Sequence, residues 1–220
     1  MIQIQQHGKV LATDLPKLRS EFAQHSCVRL PQLIEPSLLA HLCRKVEAAR
    51  LVTKFEGAEN DRFGQILFVP QTEPALFVFQ MLMNNRKLFQ AIEEITECLS
   101  IGNFFGRLHR SVPGGDHQIA WHGDNTDRRL LGLTIDLSAA DYDGGVFQLR
   151  RKASEEIICE VARNQSGDAF VFRISPELQH RLTAVADGGP RTVGVGWFRS
   201  QPDFATFAKN YFQFSCSGKA

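Results

Sequence analysis

Trp121-His122-Gly123-Asp124, taken with His180 and Arg191, is the part of the chain that decides its fold. Two imidazoles and one carboxylate are the ligand set of the facial triad that holds non-haem Fe(II) and leaves metal positions open. In an extended strand, residues two apart point to the same side. The spacing therefore projects His122 and Asp124 together, with Gly123 facing away. A third ligand has to come from another strand, so the long gap before His180 is expected. An H-x-D triplet arises by chance in roughly one in five chains of this length, taking typical residue frequencies. What surrounds the triplet has to carry the reading.

Four further segments follow in order. Asp143-Gly144-Gly145-Val146-Phe147-Gln148-Leu149 reads as a turn and a strand. Gln165-Ser166-Gly167-Asp168-Ala169-Phe170-Val171-Phe172 reads as a second turn and an apolar strand. The run from Leu178 to Val185 carries His180. Gly188-Gly189-Pro190 turns into a strand that opens with Arg191 and reaches Trp197. From Asn103 onward, short strands alternate with Gly-rich turns, a pattern of sandwiches and barrels.

The ordered set H-x-D, G-G-x-F-x-L, G-D-A-x-x-F, H-R-x-x-x-V and R-x-x-x-x-x-W resembles the 2-oxoglutarate/Fe(II)-dependent dioxygenase superfamily, most closely its prolyl-hydroxylase-like branch. The likeness covers about residues 103–200. It implies an α+β fold, a double-stranded β-helix (jelly-roll) core braced by N-terminal helices. It implies His122, Asp124 and His180 as iron ligands and catalytic residues. It places the 2-oxoglutarate anchor on Arg191, a guanidinium that can hold a carboxylate bidentately and keep its charge. Trp197 falls on the family's pocket aromatic. The tyrosine that many relatives carry before the Pro-Gly turn is Val112 here, so a second 2-oxoglutarate contact is sought elsewhere, and Thr134 is the candidate. Asp124 favours hydroxylation over halogenation, because halogenating relatives replace the acidic ligand with a small residue. The resemblance implies Fe(II), 2-oxoglutarate and O2 as the cofactor and co-substrates, with ascorbate a candidate accessory. Succinate and CO2 would be released as a C–H bond is hydroxylated.

Arg107, His109 and Arg128 are candidate substrate contacts, and together they suit a carboxylate-bearing small molecule such as a free or carrier-bound amino acid. His117, Asn125 and Asp127 are further candidates at the pocket mouth. Hydroxylation of a prolyl or other side chain in a protein or peptide is the alternative. A non-catalytic metal-binding barrel is a reading from a different class.

Composition bounds the rest. The 220 residues suit one domain: a mainly helical support layer over 1–100, the jelly-roll core over 101–200 and a C-terminal tail over 201–220. With 25 basic and 24 acidic residues, the net charge of +1 leaves no footprint for nucleic acid or an anionic membrane. No apolar run reaches the roughly 18 residues of a membrane span, and the polar start lacks a signal-peptide pattern. Cys27, Cys43, Cys98, Cys159 and Cys216 are scattered and form no C-x-x-C, which suits reduced thiols in the cytoplasm. The sequence leaves the oligomeric state open.

In the first hundred residues, Asp14 or Thr13 is expected to cap a helix bearing Leu15, Leu18 and Phe22. Val28-Arg29-Leu30 reads as a strand. Pro36 and Pro74 are expected to open helices. Leu88, Ile92, Ile95 and Leu99 stripe another helix. The stretch from Gly57 to Arg62 reads as a polar loop.

Overall fold

The computed structural model describes residues 1–56, 62–126, 128–162 and 165–200. The chain runs β1 (Ile2–Ile4), β2 (Val10–Ala12), α1 (Leu15–His25), β3 (Cys27–Leu30), α2 (Pro36–Ala48), β4 (Val52–Glu56), β5 (Arg62–Phe68), α3 (Pro74–Met83) and α4 (Arg86–Thr96). It continues through β6 (Asn103–Ser111), β7 (Gln118–His122), β8 (Arg129–Asp136), β9 (Tyr142–Gly144), β10 (Phe147–Arg151), β11 (Ile157–Val161), β12 (Ala169–Arg173), β13 (Leu178–Leu182), β14 (Val185–Gly188) and β15 (Arg191–Arg199).

The main sheet is antiparallel and ordered β11-β10-β13-β7-β5-β6-β15-β8-β12-β3, with β4 paired to β5. It folds over on itself at β5. The late part of that strand pairs β6 through Ile66, Leu67 and Phe68, and its first residues pair β7 through Arg62 and Phe63. Two facing layers result, one of β10, β11, β13 and β7, the other of β6, β15, β8, β12 and β3. This is the double-stranded β-helix expected from the sequence.

Strand alternation separates two cores. On β12, Ala169 and Val171 pack outward with the helices, while Phe170 and Phe172 point between the layers. The outer cluster joins α1–α4 to the back of the β6-β15-β8-β12 layer through residues such as Phe22, Leu42, Phe79, Ile92, Phe104 and Phe198. The inner cluster gathers Cys27, Phe147, Leu149, Val161, Phe170, Phe172 and Leu178. Gly194 lets the helical layer come this close: a Cβ there would lie 2.5 Å from the Phe79 ring.

Several local expectations hold. Pro36 and Pro74 stand at the first turns of α2 and α3, and the strand at Val28–Leu30 begins one residue earlier, at Cys27. Others need correction. The first hundred residues are less helical than their periodicity suggests, since β3 edges the main sheet and β5 sits inside it. Asp14 makes no side-chain cap: its φ is 55° and its side chain accepts no capping bond. Pro16, second in α1, has no N–H to donate to it, and the Lys17 N–H donates to the Asp14 backbone carbonyl instead. Leu99 lies beyond α4, which ends in a left-handed Glu97, and its side chain is 72% exposed. The polar stretch at 57–61 and the tail at 201–220, with Cys216, lie outside the described residues. No helix among the described residues is long and apolar enough to cross a membrane.

Candidate metal centre

His122 closes β7 and His180 sits at the centre of β13, and the two are direct cross-strand partners. Their rings lie 4.2 Å apart between centroids, tilted by 54°. The His122 Nδ1 is 2.9 Å from the Ala120 carbonyl oxygen. A carbonyl only accepts, so Nδ1 carries the proton and the Nε2 lone pair is available to a metal. Phe172 and Phe147 flank the His180 ring at 4.8 and 5.7 Å.

Asp124 is placed differently from the sequence expectation. It is not a second residue of the same strand, because β7 ends at His122. Asp124 opens the turn toward β8, where the Thr126 N–H donates to the Asp124 carbonyl and the Arg129 N–H to the Thr126 carbonyl. Side chains, not the sheet ladder, therefore fix its carboxylate. The Trp197 indole N–H donates to Oδ2 at 2.7 Å, and Arg129 Nη1 donates to Oδ1 at 2.8 Å. Held this way, Oδ2 is 3.6 Å from His180 Nε2 and Oδ1 is 4.0 Å from His122 Nε2. One ligand atom from each of the three residues lies within 4.8 Å of the others, in a half-buried position suited to a metal ion.

The three face a cavity of about 100 Å³ between the layers, room for several waters. Arg191 lines the same cavity and is only 3% exposed. Its Nε and Nη1 have no hydrogen-bond partner among the described residues. Buried donors are nearly always satisfied, and a buried guanidinium with two such donor atoms in a cavity points to an anionic ligand. Gly145 makes the space: a Cβ there would come 2.6 Å from Arg191 Cδ. That gives a physical reason for the second glycine of the G-G-x-F-x-L motif.

Tyr142 lies beside Arg191, with 6.0 Å from the guanidinium to the ring centroid. Its hydroxyl donates to the buried Asp136 at 2.5 Å. Burial, ahead of the Asp136 charge, pushes its pKa up to about 12, against the Arg191 charge that lowers it. The unfolded side chain ionises near ~10 while the folded one stays protonated, so stability present below ~10 is lost as pH rises toward 12. Tyr142→Phe is expected to lose less stability between about pH 9 and about pH 11 than the unaltered protein, measured by urea unfolding at the two values. Equal losses would remove Tyr142 as the source.

The other sequence candidates divide. Thr134 is buried, pairs with Val195 and lines the cavity. Arg107, His109 and His117 line it too, and the Arg107 guanidinium lies 5.1 Å from the Trp197 ring. Arg128 does not: it is exposed with φ 57° at the start of β8, outside the residues that line the cavity. Asn125 is exposed, and Asp127 lies outside the described residues.

Arg129 is the cation that pairs with Asp124, and sequence reasoning passed over it for its neighbour. The signal was a pair of arginines four and five residues past Asp124; only the turn shows which one turns inward. Glu56 and Arg181 were missed as well. Glu56 reaches the cavity because β4 and β5 join the sheet, and it lies 3.2 Å from His117 Nε2 and 3.1 Å from Lys54 Nζ. No local pattern in the sequence announces that long-range pairing.

Comparison with known proteins matches residues 106–199 to the 2OG-Fe(II) oxygenase superfamily. That stretch contains all three ligands, Arg191 and Trp197. The cofactors of that superfamily are Fe(II) and 2-oxoglutarate, and the residues of this chain fit both: the triad offers borderline nitrogens and a hard oxygen, and the buried Arg191, with two unpartnered donor atoms, offers a cation for a distal carboxylate.

Among solved structures, the chain is similar to a prolyl-4-hydroxylase from Pseudomonas putida, with 22% identity and a TM-score of 0.60 over 86% of this chain and 100% of that one. It is similar to an oxidoreductase of the 2OG-Fe(II) oxygenase family from Burkholderia pseudomallei, at 13% identity and a TM-score of 0.68 over 92% and 98%. It is also similar to SnoN, a non-haem α-ketoglutarate-dependent epimerase of nogalamycin biosynthesis, at 14% identity and a TM-score of 0.62 over 84% and 80%. At these identities the likeness shows the fold. No curated protein sequence matches the chain.

Proposed function

We propose that this oxygenase hydroxylates a C–H bond of a small, carboxylate-bearing molecule, such as a free or carrier-bound amino acid, using 2-oxoglutarate and O2 and releasing succinate and CO2. The observation that carries the reading is the buried Arg191, with two unpartnered donor atoms, in the cavity that the three metal-ligating side chains also face. His122, Asp124 and His180 hold the iron. Arg191 holds the far carboxylate of 2-oxoglutarate, and Thr134 and Trp197 wall the place where that molecule lies. When bound, iron would activate O2, the oxidant, with 2-oxoglutarate giving up two electrons as it becomes succinate and CO2 and the C–H bond giving up the other two.

The chain's own residues do the rest. The Ala120 carbonyl keeps His122 in the tautomer that presents Nε2. Phe147, Phe170 and Phe172 make the wall beside His180 apolar and keep water from the reacting centre. Arg107 projects from β6 toward the same cavity, near Trp197, and suits the carboxylate of the substrate. The four described cysteines are all free, which supports a reducing, cytoplasmic setting.

A second reading, hydroxylation of prolyl or other side chains in a protein or peptide, is favoured by the likeness to the Pseudomonas putida prolyl-4-hydroxylase. One assay separates the two. Succinate formation from 2-oxoglutarate is measured with a panel of small carboxylic and amino acids and, in parallel, with prolyl peptides. The first reading expects stimulation by one or more of the small acids. Stimulation by peptides alone would overturn it. A protein that binds neither iron nor 2-oxoglutarate under anaerobic conditions would be a non-catalytic barrel.

A further inference from the structure

We infer that Arg129 is a positioning residue for the metal centre, which sets how Asp124 presents its carboxylate. The inference rests on the reading that His122, Asp124 and His180 hold a metal. Asp124 stands in a turn, where no ladder hydrogen bond fixes its side chain. Both of its oxygens are instead claimed by donors from strands of the opposite layer. Trp197 on β15 holds Oδ2 through a neutral N–H, and Arg129 at the head of β8 holds Oδ1 through a cation. The two donors also brace each other, since the Arg129 guanidinium lies 3.9 Å from the centre of the Trp197 ring. The Arg129 and Asp124 side chains are 18% and 12% exposed, so water screens the pair only partly.

The two oxygens are therefore unequal toward an arriving cation. The one bonded to a guanidinium has its charge partly neutralised, and a metal approaching it meets a like charge. The one bonded to the indole keeps its charge and is the nearer to His180 Nε2. Arg129 thus leaves Oδ2 as the donating atom and keeps Oδ1 out of coordination. Asp124 then occupies one metal position rather than two, and a further position stays open for co-substrates. Loss of an outer partner of a metal ligand typically weakens metal binding by ~10–100-fold, and Arg129 stands in that relation to Asp124.

The test uses Co(II), whose visible spectrum reports coordination number, with the full-length protein. Co(II) affinity is measured by calorimetry and the visible spectrum is recorded for the unaltered protein and for Arg129→Ala, Arg129→Gln and Arg129→Lys. Circular dichroism of the metal-free proteins selects the variants that fold. Arg129→Ala and Arg129→Gln are expected to bind Co(II) about tenfold more weakly with an altered spectrum, and Arg129→Lys to recover part of the loss. Affinity and spectrum unchanged in a folded Arg129→Ala or Arg129→Gln would overturn the inference while leaving the triad intact. Tighter binding would overturn it too, because Arg129 would then be only a competing cation. Absence of Co(II) binding by the unaltered protein would overturn the triad reading itself.

Discussion

Asp124→Ala is expected to abolish iron-dependent succinate formation and to weaken metal binding by more than the ~100-fold upper range seen when only an outer partner is lost. Asp124 supplies the one negative charge in the ligand set; the remaining ligands are neutral imidazoles. Its removal also turns two neighbours against the ion. Trp197 Nε1–H and the Arg129 guanidinium, now paired with the carboxylate at 2.7 and 2.8 Å, would be left facing the cavity. A guanidinium freed from its partner repels a divalent cation. Asp124→Asn keeps the shape and loses the charge, so it should fall close to the alanine variant. The check is Fe(II) or Co(II) affinity by anaerobic titration, alongside the succinate assay. An alanine variant that keeps a tenth of the native affinity would show that the carboxylate is not a ligand.

Arg191→Ala is expected to raise the KM for 2-oxoglutarate by on the order of 100-fold while leaving affinity for the metal alone unchanged. Truncating one partner of a buried, hydrogen-bonded charge pair costs ~2–5 kcal/mol, and each 1.4 kcal/mol is about tenfold. The effect is large because the anchor is 3% exposed, so the abandoned carboxylate would be left in a wall with little water to replace the guanidinium. Arg191→Lys should recover only part, since a point charge does not reproduce the planar fork. Thermal unfolding gives an independent readout. Saturating 2-oxoglutarate with an inert divalent metal should raise the Tm of the native protein, and Arg191→Ala should show almost none of that rise. An unchanged KM and an unchanged ligand-induced rise would remove Arg191 from its role.

The sequence carried the second half of the fold clearly, for a physical reason. From β6 onward most strands are short, and Gly-rich turns stand before β7, β10, β12 and β15. His180 could be matched to His122 because a jelly roll sets strands far apart in sequence side by side. Arg191 could be placed in the cavity because β15 alternates and its charge stands on the inward face. The N-terminal half was less legible. Periodicity found α2 and α3 through their opening prolines, but β5 gains its place from pairing with β6 and β7, which are distant in the chain. Glu56 follows it into the cavity and was missed with it. At the site itself, the three side chains that converge on the candidate metal centre were readable from the sequence, whereas those that steer them were not. Whether Arg128 or Arg129 meets Asp124 depends on one turn, in which Arg128 takes a positive φ and Arg129 enters β8. Asp14 failed as a cap for a similar reason, because backbone conformation overrode residue type.

Anaerobic titration of the Fe(II)-loaded protein with 2-oxoglutarate, followed by visible absorbance, tests the central claim most directly. A charge-transfer band that saturates at one 2-oxoglutarate per protein, and that is missing in His180→Ala, is the result expected of a triad and a guanidinium that share one cavity. A protein that takes up no iron, or that takes up iron and develops no such band with 2-oxoglutarate, would contradict it.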